Sequence, residues 1–388
     1  MTTINVTQFG AVPIPGVANY RAIQAAADAQ KRYGGRLHFP SGIYEIDQTI
    51  DLGGALHEIG GSITCDGPVD ESFNIASDRN SQTPESSTTQ NGTVLVWRGK
   101  DNGGPMLRYS GSRLMWDGPT LRGDYSGRME TGNRPTAGME INYTTGLGSG
   151  MMDIRQLNGA RMPILLHANG QANTDQFDCK RFLMYDVDIG FRSESPQNVG
   201  NLFGFVTAQH VHKAVFSFAN LTHTTVTHAN MNYAVKCFVH TEESDYMAGH
   251  FACNSMKVDP ECSEMLLVDA SDKPHIFGTY AFRDVTGYSK APSLRANGAV
   301  TITLDNCRAL YGAGYFDLTG SPQGECQVLI TRSHVPSALR ATDLVKGDGK
   351  YCRVSLKDCF GDKNQPRPDE YAVGGRLVEL SDLQLVGK

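Results

Sequence analysis

A chain of 388 residues with 40% apolar side chains has ample material for a core, and 42 glycines point to many tight turns. A net charge of −6 without a dense basic run excludes nucleic acid as the main partner, because phosphate binding draws on clustered Lys and Arg. No apolar run reaches the roughly 18 residues of a membrane-spanning helix, so membrane insertion is not expected.

The opening stretch, residues 1–46, reads as strand, helix, strand, turn, strand. Ile4 and Val6 alternate with polar residues, as in a half-buried strand. Asn19 stands where a helix N-cap side chain accepts a hydrogen bond from the first turn. Tyr20, Ile23, Ala26, Ala27 and Tyr33 then recur at three- and four-residue steps, predicting one narrow apolar stripe. Gly34-Gly35 stops the helix. Leu37 and Phe39 alternate in the next strand, Pro40-Ser41-Gly42 turns the chain, and Tyr44 and Ile46 alternate in another.

Three pieces of this stretch, VTQFGA, AIQAAADAQ and GGRLHFPSGIYEI, resemble the N-terminal cap of pectate-lyase-like right-handed parallel β-helices. That superfamily includes polysaccharide lyases, glycoside hydrolases and phage tailspike depolymerases. The resemblance implies a cap over the open end of a strand stack. Members commonly carry an Asp-Gly and paired-Asp run before the helix; here that segment is VPIPGVANYR. GPMLRYSGSRLMWDGPTLRG resembles early rungs of the same family.

Beyond the cap, residues 77–91 have no apolar side chain except Pro84 and read as an exposed loop. ARMPILLH (160–167), VDIGFRS (187–193), VHKAVFSF (211–218) and NYAVKCFV (232–239) can be laid over one another through Pro163, Gly190, Ala214 and Ala234. Steps of 27, 24 and 20 residues are the period of solenoid coils, each burying its inner face only against its neighbours. A β-sandwich, with hairpin turns every 8–12 residues or so, is the runner-up. The expected fold is all-β: a single right-handed parallel β-helix over 1–388, with an N-terminal helical cap (1–50), rungs (51–360) and a C-terminal cap (361–388).

Nine cysteines, an odd number without close pairs, fit neither a disulfide framework nor a zinc site. They are expected as reduced thiols packed like small hydrophobes. Trp97 and Trp116 are expected in the packing.

The same overlay places Asp186 over His210 and Asn230, and Asp188 over His212 and Asn232. Two carboxylates on one extended strand stand about 6.6 Å apart, within the roughly 6.5–9.5 Å of an inverting glycosidase. Asp186, Asp188 and His212 are thus the candidate catalytic groups, with His210, Asn230 and Asn232 beside them as substrate contacts. A stacked ladder of polar turn residues, held by local hydrogen bonds, accounts for the same pattern without chemistry.

HTEESDYMAGH (240–250) adds Glu242, Asp245 and Tyr246 as sugar-contacting candidates. Arg192 joins them and, with Lys213, is a candidate base if the reaction is a lyase. A lyase would bring calcium, with Glu243 among the further possible oxygen ligands; otherwise no cofactor or metal is expected. Asn173-Thr174-Asp175 resembles a polygalacturonase motif, but no acid pair follows one rung later, and GHF (249–251) is only part of its Gly-His-Gly.

The expected partner is an extended polysaccharide, bound and possibly degraded. The family resemblance and the absence of a leader suggest a trimeric tailspike-type protein at a virion surface beside other virion proteins. A secreted polysaccharide lyase or glycoside hydrolase is the enzyme alternative, and a non-catalytic structural solenoid the third.

Overall fold

The alternating segments fold as strands that pair in parallel with strands about one rung away along the chain, apart from the antiparallel pair Ala372–Val373 and Arg376–Leu377. The computed structural model describes residues 2–53, 61–67, 92–111, 113–123, 133–142, 151–154, 157–160, 164–167, 177–194, 199–219, 223–241, 249–258, 262, 264–268, 277–287, 293–308, 316–319, 324–335, 345–346, 351–361, 372–373, 376–377, 379–381 and 384–385. The chain divides into two compact units, Met1–Gly204 and Phe205–Lys388.

In the first unit, three parallel ladders run side by side. Ile4, Leu37, Ile63 and Trp116 stand in register through Thr3–Asn5, Arg36–Phe39, Gly61–Cys65 and Arg113–Asp117. A second ladder joins Gly42–Ile46, Thr93–Trp97 and Thr120–Arg122. The third joins Ile50–Gly53, Leu107–Ser110, Met139–Asn142 and Ile164–His167. Each turn contributes one strand to each ladder, which is a parallel β-helix. The neighbouring turns take up the backbone donors and acceptors that a lone strand would leave unpaired. Leu37, Ile63, Trp116, Leu95 and Trp97 are all buried, so both tryptophans are core residues.

The helix Tyr20–Tyr33 buries Ile23, Ala26, Ala27 and Gln30. The predicted stripe therefore ends on Gln30 rather than Tyr33, which is 76% exposed. Gln30 is buried because it has work for its amide: Nε2 donates to Ser62 O at 2.8 Å and Gly35 O at 3.1 Å. Gln24 does the same at another strand, donating to Asp51 O at 3.2 Å and accepting from Asp51 N at 2.9 Å. Gln24 thus occupies the backbone groups of Asp51, while Gln30 ties the end of the helix to the strand Gly61–Cys65.

Asn19 is the N-cap residue but not through its side chain. Its Oδ1 accepts from Val12 N at 2.6 Å instead, tying the preceding loop to the helix start. Gly35, at φ 110°, leaves no room for a side chain, since a Cβ there would sit 2.5 Å from Thr2 O.

The second unit repeats the plan. One ladder runs from His223–Val235 through Gly249–Cys253, Phe277–Arg283, Ala299–Asp305, Cys326–Thr331 and Cys352–Lys357 to Glu379–Ser381. A further ladder joins Cys237–Thr241, Glu264–Val268, Ser293–Asn297 and Phe316–Thr319. The tail thus continues the parallel pairing through Glu379–Ser381, and Gln384–Leu385 pairs in parallel with Phe360–Gly361.

The overlay of the sequence holds at its first step, where Ile164 faces Phe191, but not at its last. Phe216 faces Val239, a 23-residue step rather than 20, because the strand Cys237–Thr241 and not its predecessor continues this rung.

Phe251 is the hub of the second unit's core, with ring centroids 5.6 Å from Phe216, 6.1 Å from Phe218, 5.9 Å from Phe238 and 6.1 Å from Phe282. Aromatic pairs at such spacings add to burial. Phe251→Ala is expected to lower stability by about 3–5 kcal/mol, read from urea unfolding. Tyr280→Phe should cost about 1–3 kcal/mol, because it strands the buried Thr241 hydroxyl that the Tyr280 hydroxyl meets at 2.8 Å.

Candidate functional site

Strand alternation and exact stacking together build a feature on the outside of the second unit. On the strand Phe277–Arg283, Tyr280 and Phe282 point inward while Thr279, Ala281 and Arg283 point out. The strands Ala299–Asp305 and Cys326–Thr331 repeat the alternation, and register aligns the equivalent positions of the ladder into columns about 4.8 Å apart from rung to rung. One column is His223, His250, Thr279, Thr301, Gln327 and Arg353. Two residues further along each strand is a column of small side chains: Thr225, Ala252, Ala281 and Thr303. The next is Arg283, Asp305, Thr331 and Lys357.

The result is a shallow trough with a floor of small residues between two rails of hydrogen-bonding and charged ones. Its floor extends over four rungs, about 14 Å from three rung steps, and the two rails flank it together at Ala281 and Thr303. Leu329, 38% exposed, stands in the floor column on the following rung and closes that end.

Two groups give the trough its electrostatics. His250 Nδ1 lies 2.8 Å from Thr279 Oγ1, whose hydroxyl donates to Gly249 O at 3.3 Å. With that proton committed, Nδ1 is the donor and the lone pair falls on Nε2. Burial, then the adjacent His223 and Arg283, hold His250 below the ordinary histidine range, so it is neutral near neutral pH. The ring centroids of His223 and His250 are 6.3 Å apart.

Across the floor, the Arg332 guanidinium holds the Asp305 carboxyl below the usual carboxylate range. Arg332 Nε donates at 2.9 Å, its terminal nitrogen bonds the other oxygen, and Thr331 Oγ1 donates at 2.7 Å. Asp305 is therefore a fixed anion and a poor proton donor.

This rail is anchored by a row of left-handed corner residues: Asp284, Asn306, Arg332 and Asp358 have φ of 48°, 52°, 50° and 53°. Each of the first three donates its N–H at 3.0 Å to the residue before the next corner: Asp305, Thr331 and Lys357. Asn and Asp visit this region readily, whereas Arg does so at a cost of roughly 1–2 kcal/mol. At this corner the Arg332 side chain is placed to pair with Asp305.

None of the described residues singled out from the sequence as site candidates belongs to these columns. In the first unit, Asp188 is 47% exposed and 3.7 Å from Arg134 Nη1. Arg192 Nε donates to Glu194 Oε1 at 2.9 Å and stands in register with Leu165. Asp186 belongs to the strand Phe177–Ser193, but its side chain lies outside the described residues, as do Glu242, Asp245 and Tyr246.

In the second unit, His210 and His212 share the strand Asn201–Phe218, with His210 at φ 52°. Lys236 N donates to Val211 O at 2.8 Å, which brings Lys236, not Asn232, opposite His212. The predicted stacking of His210 on Asn230 and of His212 on Asn232 is therefore corrected: the true rung step is longer than 20 residues. Asn230 stands in register with Lys257 and Asn232 is half-buried. Among the described residues, no three His, Cys, Asp or Glu side chains converge as a metal site.

Sequence reading missed the trough, although its signal was present. His223 and His250 are one rung apart, and the segments DNC (305–307) and KDC (357–359) are two rungs apart in the same corner frame.

The fold and this face define a parallel β-helix with an outward polar trough. No protein-family profile matches the chain, and no curated protein matches it. Among solved structures it is similar to the catalytic unit of a thermostable GH87 α-1,3-glucanase from Streptomyces thermodiastaticus strain HF3-3, at 11% identity and TM-score 0.45, covering 99% of this chain and 69% of that one. It is also similar to the Agl-KA catalytic domain, at 8% identity and TM-score 0.36, covering 100% and 68%. A third is a family 28 exopolygalacturonase from Yersinia enterocolitica, at 12% identity and TM-score 0.35, covering 100% and 79%. Likeness at this level carries no argument on reaction or substrate, and the β-helix rests on the strand register itself.

Acidification is expected to lower stability in two stages. Below about pH 6.5 the unfolded chain protonates His250 more readily than the folded one, which favours unfolding. The contribution of Asp305 is complete above about pH 3.9 and is lost as pH falls through its depressed value. Urea midpoints measured against pH should lose the first stage in His250→Gln and the second in Asp305→Asn.

Proposed function

We propose that the protein engages an extended glycan along the trough of its second unit. The supporting observation is the in-register set of three outward columns, with a floor of small side chains between two hydrogen-bonding rails. A repeat of about 4.8 Å is close to the rise of one sugar ring in an extended chain, so successive rungs can meet successive rings. Hydroxyl, imidazole, amide and guanidinium groups all suit sugar hydroxyls, and the ungrooved floor admits a polymer without burying it.

Asp305 is held as an anion by Arg332 and Thr331, which disfavours it as a proton donor at this face, whereas neutral His250 keeps a proton-accepting Nε2. The virion-surface setting, a trimeric state and contacts with other virion proteins belong to the same reading, and their support is the resemblance of residues 1–46 to the cap of that superfamily.

Affinity electrophoresis against a panel of neutral and acidic polysaccharides tests the proposal. At least one polysaccharide should retard the protein. Ala281→Arg or Thr303→Arg, which fill the floor from an outward position, should weaken that retardation at least about tenfold, or 1.4 kcal/mol, with an unchanged circular dichroism spectrum. Undiminished binding in both variants would contradict the placement, and no binding at all would favour a structural solenoid. New reducing ends or unsaturated uronides in the same incubations would indicate an enzyme, calcium-dependent if a lyase. Asp186→Asn and Asp188→Asn would then be the variants to lose turnover.

A further inference from the structure

Cys326 and Cys352 are, among the described residues, the one pair of cysteines in register on adjacent rungs. They open the strands Cys326–Thr331 and Cys352–Lys357. Neighbouring strands put such residues about 4.8 Å apart, inside the roughly 4.4–6.8 Å between Cα atoms that a disulfide spans. The two thiols are in hydrogen-bond contact. Tyr351 O accepts from Cys326 N at 2.9 Å, which fixes the start of one strand against the turn leading into the other.

The other thiols are arranged differently. Cys307 and Cys359 follow left-handed corners two rungs apart, and Ser333 stands between them, its hydroxyl accepting from Cys307 N at 2.9 Å. Cys253 faces Phe282, and Cys237 faces Glu264.

We infer that Cys326 and Cys352 form a cross-rung disulfide when the protein meets a low-molecular-weight disulfide such as oxidised glutathione. Cys326 is fully buried and Cys352 half-buried, which sets the order of events. The Cys352 thiolate attacks one sulfur of oxidised glutathione, expels one glutathione thiolate and leaves a mixed disulfide. Cys326, deprotonated, then attacks Cys352 Sγ; the bond to glutathione breaks and the second glutathione thiolate leaves. The protein gives up two electrons and two protons, and one oxidised glutathione becomes two reduced ones. The hydrogen bond with Cys352, and then burial, keep the proton on Cys326 in the resting state, so Cys352 is the first nucleophile. The bridge would tie together the two strands that carry Gln327 and Arg353, at the Leu329 end of the trough.

Native full-length protein incubated with oxidised glutathione, alkylated and peptide-mapped without reduction tests this. A Cys326–Cys352-linked peptide is expected, with an upward shift in thermal midpoint that dithiothreitol reverses. In Cys326→Ser, Cys352 should accumulate as the glutathione adduct; in Cys352→Ser, Cys326 should stay reduced. A stable Cys352–glutathione adduct in the wild-type protein, or all nine thiols remaining alkylatable after denaturation, would overturn the inference.

Discussion

Parallel pairing of each strand with the turns before and after it is the constraint on which the rest of this structure depends. A lone rung leaves its backbone groups unpaired and its inner face open, so no rung is stable by itself. Stacking supplies both needs together, through in-register hydrogen bonds outside and columns such as Ile4–Leu37–Ile63–Trp116 inside. The same logic explains the cap. A helix with alanines on its buried face can lie close, and Gln24 takes up the backbone groups of Asp51 while Gln30 donates to Ser62 O.

Exact register has a consequence on the outside as well. Residues more than twenty positions apart in the chain become neighbours by necessity, so an ordinary alternation of strand residues turns into columns. In the second unit those columns differ in size, and a trough results. A His over a Thr on the following rung also occurs in the first unit, where His38 Nδ1 is 3.2 Å from Thr64 Oγ1 and Nε2 is 3.0 Å from Asp66. That pair lacks the second histidine and the small-residue floor. The combination at His223, His250 and Ala281, rather than the His–Thr contact alone, is what suits a ligand.

Much of the architecture was legible because period-2 alternation and glycine-terminated helices are local properties. The strands around Leu37, Phe39, Tyr44 and Ile46 follow from them directly. Rung length is not local. Turns of different lengths lie between strands, so an overlay fitted at Pro163 and Gly190 lost register by Ala234, and the predicted His–Asn stacking went with it. Gln30 rather than Tyr33 ends the buried stripe for a related reason: its amide finds backbone acceptors only once the neighbouring strands are in place. His250 stands in plain view within GHF, yet only the stacked rungs supply the burial, and then the neighbouring His223 and Arg283, that lower its pKa.

The central claim is that the face carrying His223 and His250 meets an extended glycan. Histidine modification with diethylpyrocarbonate, read by mass spectrometry with and without a polysaccharide that retards the protein, tests it most directly. The account predicts that His223 and His250 react more slowly when the polysaccharide is present, while His38 in the first unit reacts at the same rate. Equal protection of all three, or protection of His38 alone, would contradict it.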